Sequence, residues 1–318
     1  MRALVTGGAG FIGSNLVDRL LAEDHQVDVV DDLSSGSLAN LADARRSPVG
    51  RLTFHQLDVR SAALEDLLQR SRPEVVFHLA ASPDLGAYPE DPLLDADVNV
   101  MGSLRVLEAA RRCGAQKVVF GSSAGIYGNP DPKELPLKES HPQRPVTPQG
   151  VAKKAVAEYL VAYRELHSLE FTALALANVY GPRQLPGGSG AVVATFARAL
   201  LGGEPCTIYG SGTQTRDLVY VDDVVDAFAR AAERGGGLVL NVGTGRETAI
   251  RDLYAVMAAA AGVERPPGHA PARPEELLRS CLDPGRAAIH LGWKPWTAVP
   301  DGVAAVLEWW AATGRGDA

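Results

Sequence analysis

The stretch "VTGGAGFIGSNLVDRLL", from Val5 to Leu21, limits what this chain can fold into more than any other. A β-rich run leads directly into Gly7, Gly10 and Gly13, and these open a helical pattern. Each glycine has a task at that spacing. Gly7 permits a tight turn, Gly10 lets backbone amides approach a pyrophosphate, and Gly13 lets the helix pack closely. The next strand-like run ends in Asp31 and Asp32, roughly twenty residues on, where a dinucleotide site places a carboxylate for ribose hydroxyls. Asp31 would accept from both hydroxyls and repel a 2′-phosphate, so the expected cofactor is NAD rather than NADP.

The texture around that motif is α/β. Strand-like "RALVTG", "VDVVD", "LTFHQLD", "EVVFHLA" and "KVVFGSS" alternate with helical patterns, among them one from about Ser14 to Ala22 and one from about Met101 to Cys113. That alternation predicts βαβ units and a Rossmann-type, doubly wound parallel sheet. Near "VYGPRQLPGGSG" the chain turns to Pro/Gly-rich loops and shorter elements. The expected division is a cofactor domain over residues 1–175 and a smaller, mainly substrate-binding domain over 176–318. A returning segment near 214–243 is expected to rejoin the first sheet through "LVLNVG".

Composition narrows the partners. The 318 residues carry a net charge of −7, which disfavours nucleic acid or an anionic membrane surface, since both require a basic face. Local arginines and helix N-termini can still hold the phosphates of a small ligand. The three cysteines, Cys113, Cys206 and Cys281, are far apart and form no metal or disulfide pattern, so no metal is expected and a reducing cytoplasm fits. "MRALVTGG" enters a strand without leader-like character, and no apolar run reaches the eighteen residues of a membrane span.

Together, "TGGAGFIG", "VVDDLSSG", "VFHLAA", "DVNVMGSLRVLEAAR", "VVFGSSAGIYG", "NVYGPRQ", "QTRDLVYVDDVVDAF" and "LNVGTG" resemble the extended short-chain dehydrogenase/reductase family, specifically its NAD-dependent nucleotide-sugar epimerases and dehydratases. The resemblance runs over nearly the whole chain. It implies that Gly7, Gly10, Phe11, Ile12 and Gly13 meet the pyrophosphate, and that Asp31, Asp32 and Ser34 lie at the adenosine ribose. Asp58 and Val59 would stand at the adenine; taken alone, Asp58 reads as an ordinary loop aspartate. Leu79, Ala80, Ala81 and Asn99 would line the rest of the cofactor path. Ser123 matches the catalytic serine or threonine and Lys153 the catalytic lysine. Asn178, Arg216 and Arg273 match residues that hold the diphosphate of a nucleotide sugar, and Glu276 the carboxylate at the uridine ribose. Guanidinium forks suit phosphate oxygens, although an ion pair of Arg216 with Asp217 or of Arg273 with Glu276 is the plainer structural alternative. The family also implies a homodimer built on the long helices after Asn99 and Pro148.

Members of the family oxidise the sugar at C4 and differ in the fate of the resulting 4-keto sugar. Dehydratases and decarboxylases carry acidic residues in the serine loop, where this chain has Ala124 and Gly125. Elimination and decarboxylation therefore lack their acid, leaving 4-epimerisation. The later segment is more similar to the UDP-glucose/UDP-galactose enzymes than to UDP-glucuronate 4-epimerases, which remain the alternative. One position departs from the pattern. In "TPQGVAK", Gln149 occupies the place of the family's tyrosine base, four residues before Lys153, and an amide does not ionise near neutral pH. Three readings stand: a replacement that traps a substrate complex, a different proton acceptor drawn from Tyr88, Asp84, Tyr127 and Tyr159, or a protein that binds NAD and a UDP-sugar without turnover.

Overall fold

A computed structural model describes residues 1–82, 91–187, 190–272 and 277–314. Seven strands form one parallel sheet: β1 (Arg2–Thr6), β2 (Gln26–Asp31), β3 (Arg51–Gln56), β4 (Val75–His78), β5 (Lys117–Ser123), β6 (Glu170–Leu176) and β11 (Leu238–Val242). Their order is β11-β6-β5-β4-β1-β2-β3, so the chain reverses its direction of winding between β1 and β4. A crevice opens at such a point beyond the carboxyl ends of the strands.

Adjacent residues within these strands face opposite layers. Val5, Val29 and Val119 pack with α1 (Phe11–Ala22), α7 (Val221–Ala231) and α9 (Gly285–Leu291) through Leu16, Leu20, Val224, Phe228 and Leu291. Their neighbours Leu4, Val30 and Phe120 pack with α2 (Ala63–Ser71), α4 (Ser103–Cys113) and α5 (Pro148–His167) through Leu68, Leu107, Val156 and Leu160. Burial on both faces accounts for the unbroken apolar wording of the strands.

The last third builds a separate apolar cluster from α6 (Val192–Leu201), α8 (Ile250–Ala260) and α10 (Val299–Thr313), centred on Phe196, Leu253, Met257, Val306 and Trp310. Short strand pairs connect this part to the rest. β7 (Asn178–Tyr180) runs parallel to β10 (Leu218–Tyr220), β9 (Thr215–Arg216) antiparallel to β12 (Thr248–Ala249), and β8 (Thr207–Tyr209) parallel to β13 (Gly268–Ala270). The chain from 221 to 242 belongs physically to the first layer system, since α7 covers α1 and β11 extends the sheet beside β6. No helix among the described residues is long and apolar enough to cross a membrane.

Two elements differ from their sequence-based outlines. The first helix begins at Phe11, directly on Gly10, rather than near Ser14. The helix expected from Met101 begins at Ser103 and follows α3 (Pro92–Ala96) and a wide π-type turn over Asp97–Gly102. Asn99 lies within that turn. Periodicity alone does not distinguish a widened turn from an α-helical one.

Candidate active site

The glycine-rich turn is shaped by contacts that side chains would block. Gly7 has φ +69°, and a Cβ there would meet the backbone of Ala80 at 2.7 Å, so the turn after β1 rests against the segment leaving β4. A Cβ on Gly13 would stand 2.1 Å from the Gly7 carbonyl oxygen. Gly10 is the N-cap of α1 and offers no side chain to cap it. The first amides of α1, on Phe11, Ile12 and Gly13, therefore form a cradle suited to an anionic pyrophosphate.

Asp31, at the end of β2, is 7% exposed and accepts from Ala9 N and Leu33 N, both at 2.9 Å. Burial pushes its carboxyl above the usual range while these amides pull it down. Asp32 is exposed and accepts from the amide and hydroxyl of Ser34 at 2.9 and 2.6 Å. Sequence reasoning missed Asn40, whose Nδ2 donates to Ala9 O at 2.9 Å, and Ser37, whose amide donates to the same oxygen at 3.0 Å. Ser37 caps the short 3-10 turn Leu38–Leu41 that contains Asn40, and no motif marks either. They fold residues 31–40 over the glycine turn.

Asp58 stands after β3 with both oxygens engaged by Arg60, at 3.1 and 3.0 Å to Nε and 2.6 Å to Nη2. Those guanidinium bonds hold its carboxyl below the ordinary range. Arg60 also reaches Asp97 at 2.9 Å, and Gly102 lies close against the buried Val59, so this loop is bound to the turn that carries Asn99.

Asn99 is 2% exposed, and its side chain is occupied at both ends. Its Oδ1 accepts from Ser82 N at 2.9 Å and its Nδ2 donates to Asp95 at 2.7 Å. Through Ser82 it braces the end of the segment that carries Leu79, Ala80 and Ala81.

A second buried chain was not read from the sequence at all. Thr6 Oγ1 lies 2.7 Å from His78 Nδ1, His78 Nε2 lies 2.7 Å from Ser103 Oγ, and Ser103 Oγ donates to Asn99 O at 2.6 Å. Because the Ser103 hydroxyl spends its proton on that carbonyl, His78 must donate from Nε2 and accept from Thr6 at Nδ1. Thr6 Oγ1 accepts in turn from Leu79 N and Ala80 N, each at 3.2 Å. Complete burial, helped by the Lys153 charge, pushes the His78 pKa down to about 3.

The serine, glutamine and lysine expected at the reactive end stand where β5 meets α5. Thr147 Oγ1 caps α5 by accepting from Gly150 N at 3.1 Å, and Pro148 takes the first helical position. A Cβ on Gly150 would lie 2.6 Å from the Gly125 carbonyl oxygen, so the helix start presses against the turn following Ser123. This puts Gln149 beside the serine loop. Ser123 accepts from Gly125 N at 3.1 Å and is half-buried, as is Gln149. One helical turn on, Lys153 is 7% exposed; its Nζ donates to Gly121 O at 2.7 Å and lies 4.7 Å from the centre of the Phe120 ring. Burial lowers its pKa to about 8 against the opposing field of Asp95.

Two of the suggested alternative proton acceptors are ruled out. Tyr127 is 1% exposed, donates to Asn241 Oδ1 at 2.7 Å in the interior, and has its pKa raised by burial. Tyr159 lies ten positions along α5 from Gln149 on an exposed surface, roughly 15 Å along the axis at the usual helical rise. Tyr88 and Asp84 lie outside the described residues, as do Arg273 and Glu276.

Asn178 opens β7 and donates its backbone amide to Asp217 O at 2.9 Å. Arg216 is buried and donates from Nη1 to Thr215 O at 2.8 Å and Leu277 O at 2.7 Å, at the edge of the undescribed 273–276. Asp217 accepts from Thr244 N and Oγ1, Gly245 N and Leu282 N at 2.8, 2.5, 3.3 and 3.0 Å. Its carboxylate thus organises the loops around Arg216.

Comparison with known proteins agrees with this geometry. A model of the NAD dependent epimerase/dehydratase family matches residues 3–243. A UDP-glucose 4-epimerase of Mycolicibacterium smegmatis is 48% identical over 97% of this chain and 98% of its own length. The crystal structure of a Thermotoga maritima UDP-glucose 4-epimerase with UDP-glucose superposes with a TM-score of 0.93 at 38% identity, covering 98% of this chain and 99% of that one. A Thermus thermophilus UDP-glucose 4-epimerase in complex with NAD gives 0.90 at 38% identity with the same coverage.

Proposed function

Since the chain belongs to the NAD dependent epimerase/dehydratase family, we propose that it interconverts UDP-glucose and UDP-galactose through a transient 4-keto sugar, using bound NAD. The observation that carries this reading is the junction of β5 and α5. Ser123 and Lys153 stand there with no carboxylate at positions 124 and 125 to drive elimination or decarboxylation. The bound dinucleotide supplies a reversible hydride acceptor.

The chain's own residues hold and orient. The amides of Phe11, Ile12 and Gly13 and the N-terminal end of α1 receive the pyrophosphate. Asp31, already aligned by two amides, presents its remaining lone pairs to the adenosine ribose, with Asp32 and Ser34 beside it. Asp58 and Val59 flank the adenine, and the Leu79 to Ala81 segment, braced by Asn99, follows the cofactor toward the reactive end. Ser123 hydrogen-bonds the sugar hydroxyl. Lys153 holds the nicotinamide ribose and adds positive charge near the reacting oxygen, which favours loss of its proton. Asn178, Arg216, Arg273 and Glu276 grip the UDP moiety from the smaller substrate domain, mainly residues 176–318.

The assembly proposed is a homodimer through α4 and α5, supported by the exposed Met101 beside α4 and the exposed Val151, Tyr159, Val161 and Leu166 on α5. Free Cys113, Cys206 and Cys281 fit a reducing cytoplasm. Incubating the chain in parallel with UDP-glucose, UDP-N-acetylglucosamine and UDP-glucuronate tests the reading. UDP-glucose should be converted to UDP-galactose in preference to any change in the other two, and conversion of UDP-glucuronate alone would replace it with the hexuronate enzyme.

A further inference from the structure

Building on the proposed 4-epimerase, we propose that Arg183 is a positioning residue for the UDP-sugar, which fixes the turn after β7 to α1 through Asp18 and so sets the place of Asn178. The starting point is an uncommon backbone. Arg183 has φ +72°, a left-handed conformation that a residue with a side chain adopts only where the surrounding structure holds it. Its guanidinium is largely buried, 14% exposed, with Nη2 2.6 Å from Asp18 Oδ2 on α1. Neither feature serves stability well. Burial raises the Asp18 carboxyl above its usual range despite the guanidinium beside it, and Arg183 Nη1 is buried without a hydrogen-bond partner among the described residues. A buried charge pair with one donor unsatisfied gains little over an apolar contact of the same size, whereas its fixed geometry holds two elements in place.

Those two elements carry the two ligands of the proposed function. α1 receives the NAD pyrophosphate at its N-terminal end, about two turns before Asp18. The turn 181–184 follows β7, whose first residue is Asn178. Further contacts seat that turn on α1. A Cβ on Gly181 would stand 3.5 Å from the Phe11 ring and 2.4 Å from Val221 at the start of α7, so the backbone there lies directly on both helices. Asn15 Nδ2 donates to Phe11 O at 2.8 Å and reaches Pro182 O at 3.5 Å. The turn is also closed on itself: Gln184 donates from its amide to Gly181 O at 3.3 Å and from Nε2 to Val179 O at 3.0 Å.

A pin at Arg183 is thus transmitted to β7, and β7 is paired with β10, the strand that follows closely on Arg216. The NAD cradle does not depend on this pin. It is made by the amides of α1 and the close packing of Gly7 and Gly13 within the first domain. Loss of the Arg183–Asp18 pair therefore separates the ligands: the cofactor keeps its site, and the UDP-sugar loses the fixed position of Asn178.

The test measures UDP and NAD affinity separately, by titration calorimetry on the full chain, with UDP added to the NAD-loaded protein. Arg183→Met keeps an unbranched side chain and removes its charge; it should weaken UDP binding about tenfold and leave NAD binding unchanged. Asp18→Asn, the milder change, should do the same, and the double variant should lose no more than either single one because both break one link. Unchanged UDP binding in either single variant overturns the assignment. So do equal losses of UDP and NAD affinity, which mark general loosening, and losses that add in the double variant. In each of these outcomes the unmodified chain still binds UDP, and the proposed function stands. Failure of the unmodified, NAD-loaded chain to bind UDP would remove the UDP-sugar reading, and this assignment with it.

Discussion

At residue 149 a carboxamide stands in the first turn of a helix whose cap, proline and neighbouring glycine fix its start against the Ser123 loop, with a buried lysine one turn on. A positioned general base contributes on the order of 10² to 10⁴ in rate. Gln149→Tyr should therefore raise kcat for UDP-glucose by a factor in that range, read by a coupled assay of UDP-galactose formation; an unchanged kcat would mean that chemistry is not limited by proton transfer. Gly13 offers a test at the other end of the site. Gly13→Ala puts a methyl group 2.1 Å from the Gly7 carbonyl oxygen, so the turn must move. NAD affinity should fall by at least about tenfold, equivalent to about 1.4 kcal/mol, by titration calorimetry. The glycines, Asp31, Ser123, Gln149 and Lys153 were legible because each is tied to a local pattern of a few residues. Asn40, Ser37 and His78 were not, because their partners, Ala9 for the first two and Thr6 and Ser103 for the last, are distant in sequence.

The element that joins cofactor crevice and reactive end is the π-type turn carrying Asn99, fixed by Ser82, Asp95, Ser103 and, through Arg60 and Asp97, by the loop after β3. Sequence periodicity outlined a helix here but not its widened first turns, since a one-residue widening preserves the apolar face that the pattern reports. His78 makes this element sensitive to acid. Its folded pKa of about 3 lies below the ordinary 6.5, so the unfolded chain binds more protons between those values. Stability from this group is complete above pH 6.5 and is lost as pH falls toward 3, with a slope of at most about 1.4 kcal/mol per pH unit. Denaturant titrations from pH 4 to 7 should show this dependence, and His78→Asn should flatten it. An identical slope in the variant would assign the acid sensitivity to other groups.

Across the whole molecule, the alternation of strands and helices made the parallel sheet predictable, and "LVLNVG" pointed to its last strand. The interleaving follows from physics on both sides of that sheet: α7 covers the α1 layer with Val224 and Phe228, and β11 pairs with β6. Each large apolar side chain buried this way contributes about 1.5 to 3 kcal/mol. A chain ended after Tyr180 lacks both elements and should show no cooperative unfolding transition by circular dichroism, whereas a sharp transition would establish the first 180 residues as an independent folding unit. The substrate region was less legible, because β7 to β10 are short strands whose partners lie up to 61 residues away. The fold brings a dinucleotide cradle, a serine, a buried lysine and an arginine-bearing strand to one end of the sheet, an arrangement suited to oxidising and re-reducing one carbon of a nucleotide sugar. Deuterium placed at C4 of UDP-glucose tests this most directly. The UDP-galactose formed in ordinary water should keep the label at C4, since hydride leaves and returns within one site; product that has exchanged it for solvent hydrogen would contradict the account.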